Sequence, residues 1–303
     1  PEYKFEVGKG VTLRYGKDVT IVATGYMVHL ALEAAEELDV PGEYFIDLNT
    51  MTLYFYPPYK ISMEDKLELA VTKDAQLKVT EAQHIVFDGL TFEGFRLTGD
   101  KMGLFDLLKT HYVEIRNCKF GYNAGGSAVI IKEGTNNTVE ACLFYNTGAL
   151  GVSLFNDGYS TSYAEYPNLE PDNNRIINNH FYNTGHENLQ SAGFAVGHSI
   201  TSNHASDANV GNVVNNNLIH HLYGGMAITA MMEYDISNNE IANVCRILAD
   251  YGPIYIGAYK HAYGNTVRYN YIHHFESAID PSYAVNGIYL DDWNSANFAE
   301  NNI

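Results

Sequence analysis

The sequence predicts an all-β chain, a right-handed parallel β-helix (a solenoid) with a β-hairpin-containing insertion near its N-terminus. Three observations carry that expectation. A six-residue phrase (apolar, two variable residues, usually Asn, one variable residue, Phe or Ile) returns eight times. Its copies are Phe87–Phe92, Ile115–Phe120, Val139–Phe144, Ile176–Phe181, Val214–Ile219, Ile236–Ile241, Val267–Ile272 and Phe298–Ile303. The fourth position is Asn in five copies (Asn179, Asn217, Asn239, Asn270, Asn301), Cys in two (Cys118, Cys142) and Leu in one (Leu90). A second apolar run follows most copies, with no helical spacer between. Copies start 22 to 38 residues apart, a constant core with variable inserts, as stacked repeats do.

Each copy is short, apolar at both ends and bounded by Asn or Gly, so it suits a strand and not a helix. Asn fits the turn because it tolerates left-handed backbone angles, and its amide can bond the amide of the next coil. The five asparagines are therefore expected to stack as one ladder, with Cys118 and Cys142 close together as buried thiols in place of Asn. A β-sandwich with Asn-rich turns explains the strands but not the recurrent phrase.

Taken in order, residues 1–80 are expected to hold N-terminal strands, a short helix and a hairpin. Lys4–Val7 and Val11–Tyr15 are strand-like, and Leu30–Leu38 has the makings of the helix. Glu43–Asp47 and Thr52–Tyr56 form the expected hairpin around Leu48–Met51, stopped by Pro57-Pro58. Residues 81–303 are expected to be the coils and their groove. The longest inserts contain Asp157–Asn174 and His198–Asn209, polar loops of the kind that wall a site on a rigid scaffold. The first residues already look like strand, and Ile303 completes a repeat without a cap. The chain is thus expected to be a segment of a longer protein.

Alternation assigns the faces of the second run. Val152, Leu154, Phe194, Val196, Met226, Ile228, Ile254, Ile256, Ile288 and Leu290 fall on one apolar face, expected to be core. The opposite face carries Ser153, Ala195, Ala227, Tyr255 and Tyr289. A further outward column reads Phe155, Gly197, Thr229, Gly257 and Asp291, which together suit a groove floor.

A net charge of −18 with only 18 Lys and Arg argues against nucleic acid or an anionic membrane as partner. No apolar run approaches the ~20 residues needed to cross a bilayer. Three cysteines give neither a disulfide framework nor a metal motif. Tyrosine is abundant at 24 residues, normal for a β-protein and also where sugars are stacked.

Pro41-Gly42-Glu43-Tyr44-Phe45-Ile46-Asp47, followed by Thr52-Leu53-Tyr54-Phe55-Tyr56-Pro57-Pro58, resembles a hairpin found ahead of the coils in secreted right-handed β-helix glycosidases. Asp250-Tyr251-Gly252-Pro253-Ile254-Tyr255, Asn270-Tyr271-Ile272-His273 and Asn286-Gly287-Ile288-Tyr289-Leu290-Asp291-Asp292 are similar to the catalytic coils of that group. The nearest resemblance is to glycoside hydrolase family 141, which includes α-L-fucosidase and xylanase activities. The β-xylosidases of family 120 are more distant. The resemblance implies a glycosidase on plant-type polysaccharide, secreted, periplasmic or at the cell surface, with Asp250 and Asp291 as catalytic carboxylates. Pro253 departs from the small residue expected at its place in the motif.

Glycoside hydrolysis needs one carboxyl that donates a proton and one carboxylate that attacks or activates water. Asp250 and Asp291 lie on adjacent coils at opposite ends of equivalent strands. Four strand residues span ~13 Å, whereas working carboxyl pairs lie ~5–9.5 Å apart. The Asp250 turn must therefore fold back over Pro253 and Gly287. Substrate contacts are expected from His198, Tyr255, Tyr289, Asp292 and Trp293, the only tryptophan. Tyr255 and Tyr289 could equally be an aromatic stack between coils, and Asp292 a turn residue. The His pairs 220/221 and 273/274 are read as packing residues in turns, fitting no zinc spacing. No cofactor is expected. Calcium at Asp291, Asp292 and Asn294 is an alternative, against which the Asp-x-Asp-x-Asp-Gly loop is absent. Two rival functions stay open. A polysaccharide lyase would need a base such as Arg246, Lys260 or Arg268, and a non-catalytic carbohydrate-binding β-helix would need no carboxylate pair.

Overall fold

The computed structural model describes residues 40–47, 49–65, 75, 77–95, 103–123, 125–156, 170–185, 195–197, 209–222, 224–246, 250–257, 262–275, 285–292 and 294–303. The chain divides into two units, Pro1–Leu67 and Glu68–Ile303. In the first, Tyr44–Asp47 pairs antiparallel with Thr52–Phe55, giving the expected hairpin. Asp47 closes its turn, accepting from the Asn49 amide at 2.9 Å and the Thr50 hydroxyl at 2.5 Å. The expected helix at Leu30–Leu38 and the strands before it lie outside the described residues.

The second unit is a parallel β-helix of three sheets. The first sheet runs from Leu77–Thr80 to Ile288–Leu290 in eight strands, and the second from Val86–Asp88 to Phe298–Glu300 in eight. The third runs from Thr91–Glu93 to Tyr271–Phe275 in seven. Neighbouring strands within each sheet are parallel. Each of seven coils visits the first, second and third sheets in turn, starting with the coil that opens at Leu77–Thr80, and an eighth has strands in the first and second sheets only. No helix among the described residues is long and apolar enough to cross a membrane.

The recurrent phrase is the corner between the second and third sheets. Its first residue (Ile115, Val139, Ile176, Val214, Ile236) is buried in the second sheet and its sixth in the third. Phe92, Phe120, Phe144 and Phe181 stack at 5.3, 5.0 and 4.5 Å between centroids, so the sixth position builds a continuous aromatic column inside the coil. Above Phe181 that column continues with the buried Ile219 and Ile241.

The fourth position forms the expected ladder with one correction. The Asn179 amide N–H and Nδ2 both donate to Asn217 Oδ1, at 2.9 and 3.1 Å, and Nδ2 also donates to the Val139 carbonyl at 2.9 Å. Asn217 repeats this on Asn239, Asn239 on Asn270, and Asn270 on Asn302. The last rung is Asn302, not Asn301, because Ala299 pairs with Val267 and the final phrase starts one residue later than expected. Asn301 instead takes the left-handed conformation (φ 53°), as do Asn178, Asn216 and Asn238 before the other rungs. Left-handed geometry and ladder bonding therefore belong to adjacent residues, not to one Asn. Cys118 and Cys142 are buried free thiols at rung positions. Cys142 Sγ reaches the Ile115 carbonyl at 3.5 Å, the bond that Nδ2 makes in the coils above.

A second ladder, which sequence reasoning missed, runs between the first and second sheets. Asn137 donates to Asn174, whose amide donates to Asn212. After an interruption at Tyr234, whose amide donates to Asn265, Asn265 donates to Asn297. Its signal was present: an Asn recurs two residues before the phrase. Counting back from Asn297 would also have given the correct register of the last copy.

Candidate active site

Most of the apolar face of the first sheet is core as expected: Val152, Leu154, Val196, Met226, Ile228, Ile254 and Ile256 are buried. On the last strand, however, Ile288 is half-buried and Leu290 is exposed, and Phe194 lies outside the described residues. The outward columns need correction. Val152 pairs with Val196, Val196 with Ile228, Ile228 with Ile254 and Ile254 with Ile288. The column under Tyr289 therefore reads Tyr255, Thr229, Gly197 and Ser153, two residues off the expected register in two coils. The shared Gly-x-apolar start suggested the wrong alignment; a slip of two preserves the faces, so burial alone could not expose it. Ser153, Thr229 and Tyr255 are buried despite pointing away from the core.

On this sheet the strands Ile254–Ile256 and Ile288–Leu290 lie side by side, with Tyr255 directly opposite Tyr289. Pro253 suits its place. It immediately precedes the strand Ile254–Ile256, where no amide N–H is required of it, and its carbonyl accepts from Ala227 at 2.9 Å and Ile228 at 3.0 Å. Ahead of it Asp250 adopts a left-handed conformation (φ 65°), and Gly252 has no room for a Cβ against the Asn286 carbonyl. The Asn286 amide donates to the Tyr251 carbonyl at 3.1 Å, so the two turns pack directly on each other. At the other end of the strand Asp291 lies over Gly257, its amide donating to the Ile256 carbonyl at 2.9 Å.

The two tyrosines join these ends. Tyr289 Oη donates to Asp250 Oδ1 at 2.9 Å, and Tyr255 Oη donates to Asp291 Oδ2 at 2.5 Å. Each tyrosine thus holds the aspartate of the neighbouring coil, and the rings meet edge to face at 5.5 Å. The hydrogen bond to Asp250 pushes the Tyr289 phenol up to about 12, helped by desolvation and by the charges of Asp291, Asp250 and Asp292. Three carboxylates therefore act on one hydroxyl. Asp250 and Asp292 are exposed, Asp291 and Tyr289 half-buried.

Five expected site residues, Asp250, Tyr255, Tyr289, Asp291 and Asp292, are thereby brought together. His198 and Trp293 lie outside the described residues. Of the expected lyase bases, Arg268 is held by Asp235 on the second sheet at 2.9 Å, and Lys260 lies outside the described residues. Asn294 Nδ2 donates to the Asp291 carbonyl and its Oδ1 accepts from Asn297 at 3.1 Å. No group of three or more His, Cys, Asp or Glu among the described residues is arranged to hold a metal ion. The His pairs lie in or beside strands and not in turns: His220 ends Leu218–His220, and His273 and His274 both belong to Tyr271–Phe275. Left-handed bends at His221 and His274 (φ 56° and 54°) let adjacent rings meet at Nδ1. Gly252 and Gly257, whose lack of a side chain lets Asn286 and Asp291 approach, were passed over in the sequence as merely small.

Comparison with known proteins gives two separate likenesses. Residues 74–241 match the family model for the right handed beta helix region. Residues 8–84 match the C-terminal domain of transketolase, overlapping the first coil. In keeping with that second match, a putative uncharacterized transketolase family protein of Sinorhizobium fredii is 36% identical over 29% of this chain and 24% of its own. The pyruvate dehydrogenase E1 component subunit beta of Bacillus subtilis is 33% identical over 28% of this chain and 27% of its own. The chain thus spans about a quarter of the length of these relatives. Among solved structures, an alginate lyase from a Paenibacillus species aligns with a TM-score of 0.41 at 16% identity, over 64% of this chain and 68% of its own.

Proposed function

The chain belongs to the right-handed β-helix family, and on that scaffold we propose that it is a glycoside hydrolase using Asp250 and Asp291 as its catalytic carboxylates. Its substrate on this reading is a plant-type polysaccharide or oligosaccharide, hydrolysed by a fucosidase-like or xylanase- or xylosidase-like activity. The observation that carries the reading is the meeting of Asp250 and Asp291, from opposite ends of neighbouring strands, on one tyrosine pair. Structural carboxylates have no need of that convergence; general acid and nucleophile (or base) do. Asp292 would meet sugar hydroxyls, and so would His198 and Trp293 by their place in the sequence. The transketolase-like segment, residues 8–84, contains none of these residues. A secreted, periplasmic or cell-surface location goes with the same reading.

In the reaction, one carboxyl gives its proton to the glycosidic oxygen while the C1–O bond breaks and its electron pair stays on the departing oxygen. The other carboxylate either bonds to C1 or takes a proton from the water that does. In the first case water then bonds to C1 as the C1–carboxylate bond breaks, and its proton returns to the carboxyl that had acted as acid; in the second, proton exchange with solvent resets both carboxyls.

The test is turnover of aryl glycosides whose leaving groups need a proton, by the wild type and by Asp250→Asn and Asp291→Asn. Both variants should keep the fold, since neither side chain enters the core, and each should lose ~10²–10⁴-fold in rate. Azide should rescue the variant that lacks the attacking carboxylate or base, and the anomer of the azide product reports retention or inversion. Near wild-type hydrolysis by both variants would remove the assignment. Release of unsaturated uronate products, seen by their absorbance, would make the protein a lyase instead.

A further inference from the structure

The crossed hydrogen bonds treat the two aspartates unequally. Tyr255 is 4% exposed, and its hydroxyl meets Asp291 at 2.5 Å. Asp291 is also held by its amide bond to Ile256 and sits on Gly257, where no side chain intervenes. Its carboxylate is fixed from below and from the side. Asp250 is exposed on a left-handed turn, and its partner Tyr289 is half-buried at a longer 2.9 Å. Both phenols donate to a carboxylate, but the Tyr255 bond is the shorter and comes from a buried residue, so it fixes Asp291 the more firmly. A proton donor, by contrast, must recover a proton from water in every cycle, which an exposed carboxyl does readily.

We propose that Tyr255 and Tyr289 are positioning residues that cross-brace the two coils, and that the brace makes Asp291 the standing carboxylate and Asp250 the proton donor. This deepens the glycosidase reading and rests on it. Tyr255 and Tyr289, expected from sequence to touch substrate, act through the aspartates. In the reacting complex Asp250 Oδ–H passes its proton to the leaving oxygen. Asp291 supplies the electron pair that bonds to C1, or that takes the proton of the attacking water. Among the described residues, Tyr255 and Tyr289 bond the pair, Asp292 adds its charge beside Tyr289, and Tyr251 packs its ring near that of Tyr255.

The experiment has two arms. In the first, carboxyl ¹³C NMR follows the aspartates of the wild type and of Tyr255→Phe. At one fixed pH the Asp291 carboxyl resonance should move when its hydrogen-bond donor is lost while that of Asp250 stays put; an unmoved Asp291 resonance overturns the brace whether or not a substrate is known. In the second, Tyr255→Phe should lower kcat about 10²-fold with little change in KM, as misplacement of a reacting group does. Asp250→Ala should lose the alkaline limb yet retain most turnover on a dinitrophenyl glycoside, whose leaving group needs no proton. Asp291→Ala should fail on good and poor leaving groups alike. The opposite pattern, with Asp291→Ala spared by the dinitrophenyl group, overturns the role assignment. Failure of the wild type to hydrolyse any glycoside sinks the glycosidase reading and the roles, leaving only the brace to the first arm.

Discussion

Gly257 lies directly beneath Asp291: a Cβ built on Gly257 would stand 2.5 Å from the Asp291 Cβ and 2.8 Å from its backbone nitrogen. Real Cβ atoms do not approach so closely, so any larger residue at 257 must push Asp291 away from Tyr255. Gly257→Ala is expected to lower turnover about 10²-fold, the cost of displacing a reacting group by around an ångström. The substitution leaves the ladders untouched, so the melting midpoint should move far less than the rate does. Activity assays and thermal melts on one preparation check both halves, and an unchanged rate would show that Asp291 does not need its present place.

The asparagine ladder makes a stability prediction. Asn239 is 1% exposed and uses its whole amide: Oδ1 accepts twice from Asn217, and Nδ2 donates to Asn270 and to the Val214 carbonyl. Leu at this position is close in size but offers no polar atom, stranding groups on both neighbouring coils. Each unsatisfied buried group costs ~1–3 kcal/mol, so Asn239→Leu should lose several kcal/mol. A wild-type melting midpoint for the purified variant would contradict the ladder's energetic role.

The fold was legible because its signal is repeated. Any one copy of the phrase is an ordinary strand, but eight of them place apolar residues and Asn at the same corner. Register was less legible where side-chain type does not discriminate. At the last copy both Asn301 and Asn302 suit a turn, and only the pairing of Ala299 with Val267 tells which is the rung. In the first sheet the small residues around Gly193 and Gly225 allow a shift of two without moving an apolar side chain off the core. Of the candidate site, the residue types were legible: Asp250, Tyr255, Tyr289, Asp291 and Asp292 do lie near one another. Who holds whom was not. The sequence assigns neither tyrosine to an aspartate, and the crossing of the partners comes from the pairing of the two strands and the packing of the Asp250 and Asn286 turns on each other.

At the lower end of the first ladder, Cys142 donates its amide to Asn179 Oδ1 at 2.9 Å but offers no oxygen to Cys118. Its thiol already makes the Ile115 carbonyl bond that an Asn Nδ2 makes elsewhere. Cys142→Asn keeps that bond and sets an Oδ1 toward the Cys118 amide, adding one rung. One net hydrogen bond is worth ~0.5–1.5 kcal/mol, and 1 kcal/mol shifts the midpoint of a unit this size by about 2–4 °C. The variant should therefore melt a few degrees higher. A lower midpoint would mean that the larger Asn does not fit beside Cys118.

The Tyr289 phenol offers a direct reading of the Asp250 turn in solution. Its hydrogen bond to Asp250 favours the neutral phenol, and ionisation is pushed up to about 12 from the ordinary 10.0. Because the folded value is raised, the bond's contribution is fully present below pH 10 and disappears as the pH rises through 12. The tyrosinate difference spectrum between wild type and Tyr289→Phe isolates this one phenol from the other 23 of the chain's 24 tyrosines. It should titrate late in the wild-type background. In an Asp250→Ala background the same difference should move back toward 10, because the acceptor is gone, while the charges of Asp291 and Asp292 still keep it from reaching the free value. A Tyr289 phenol that titrates alike with and without Asp250 would mean that the turn does not close on it.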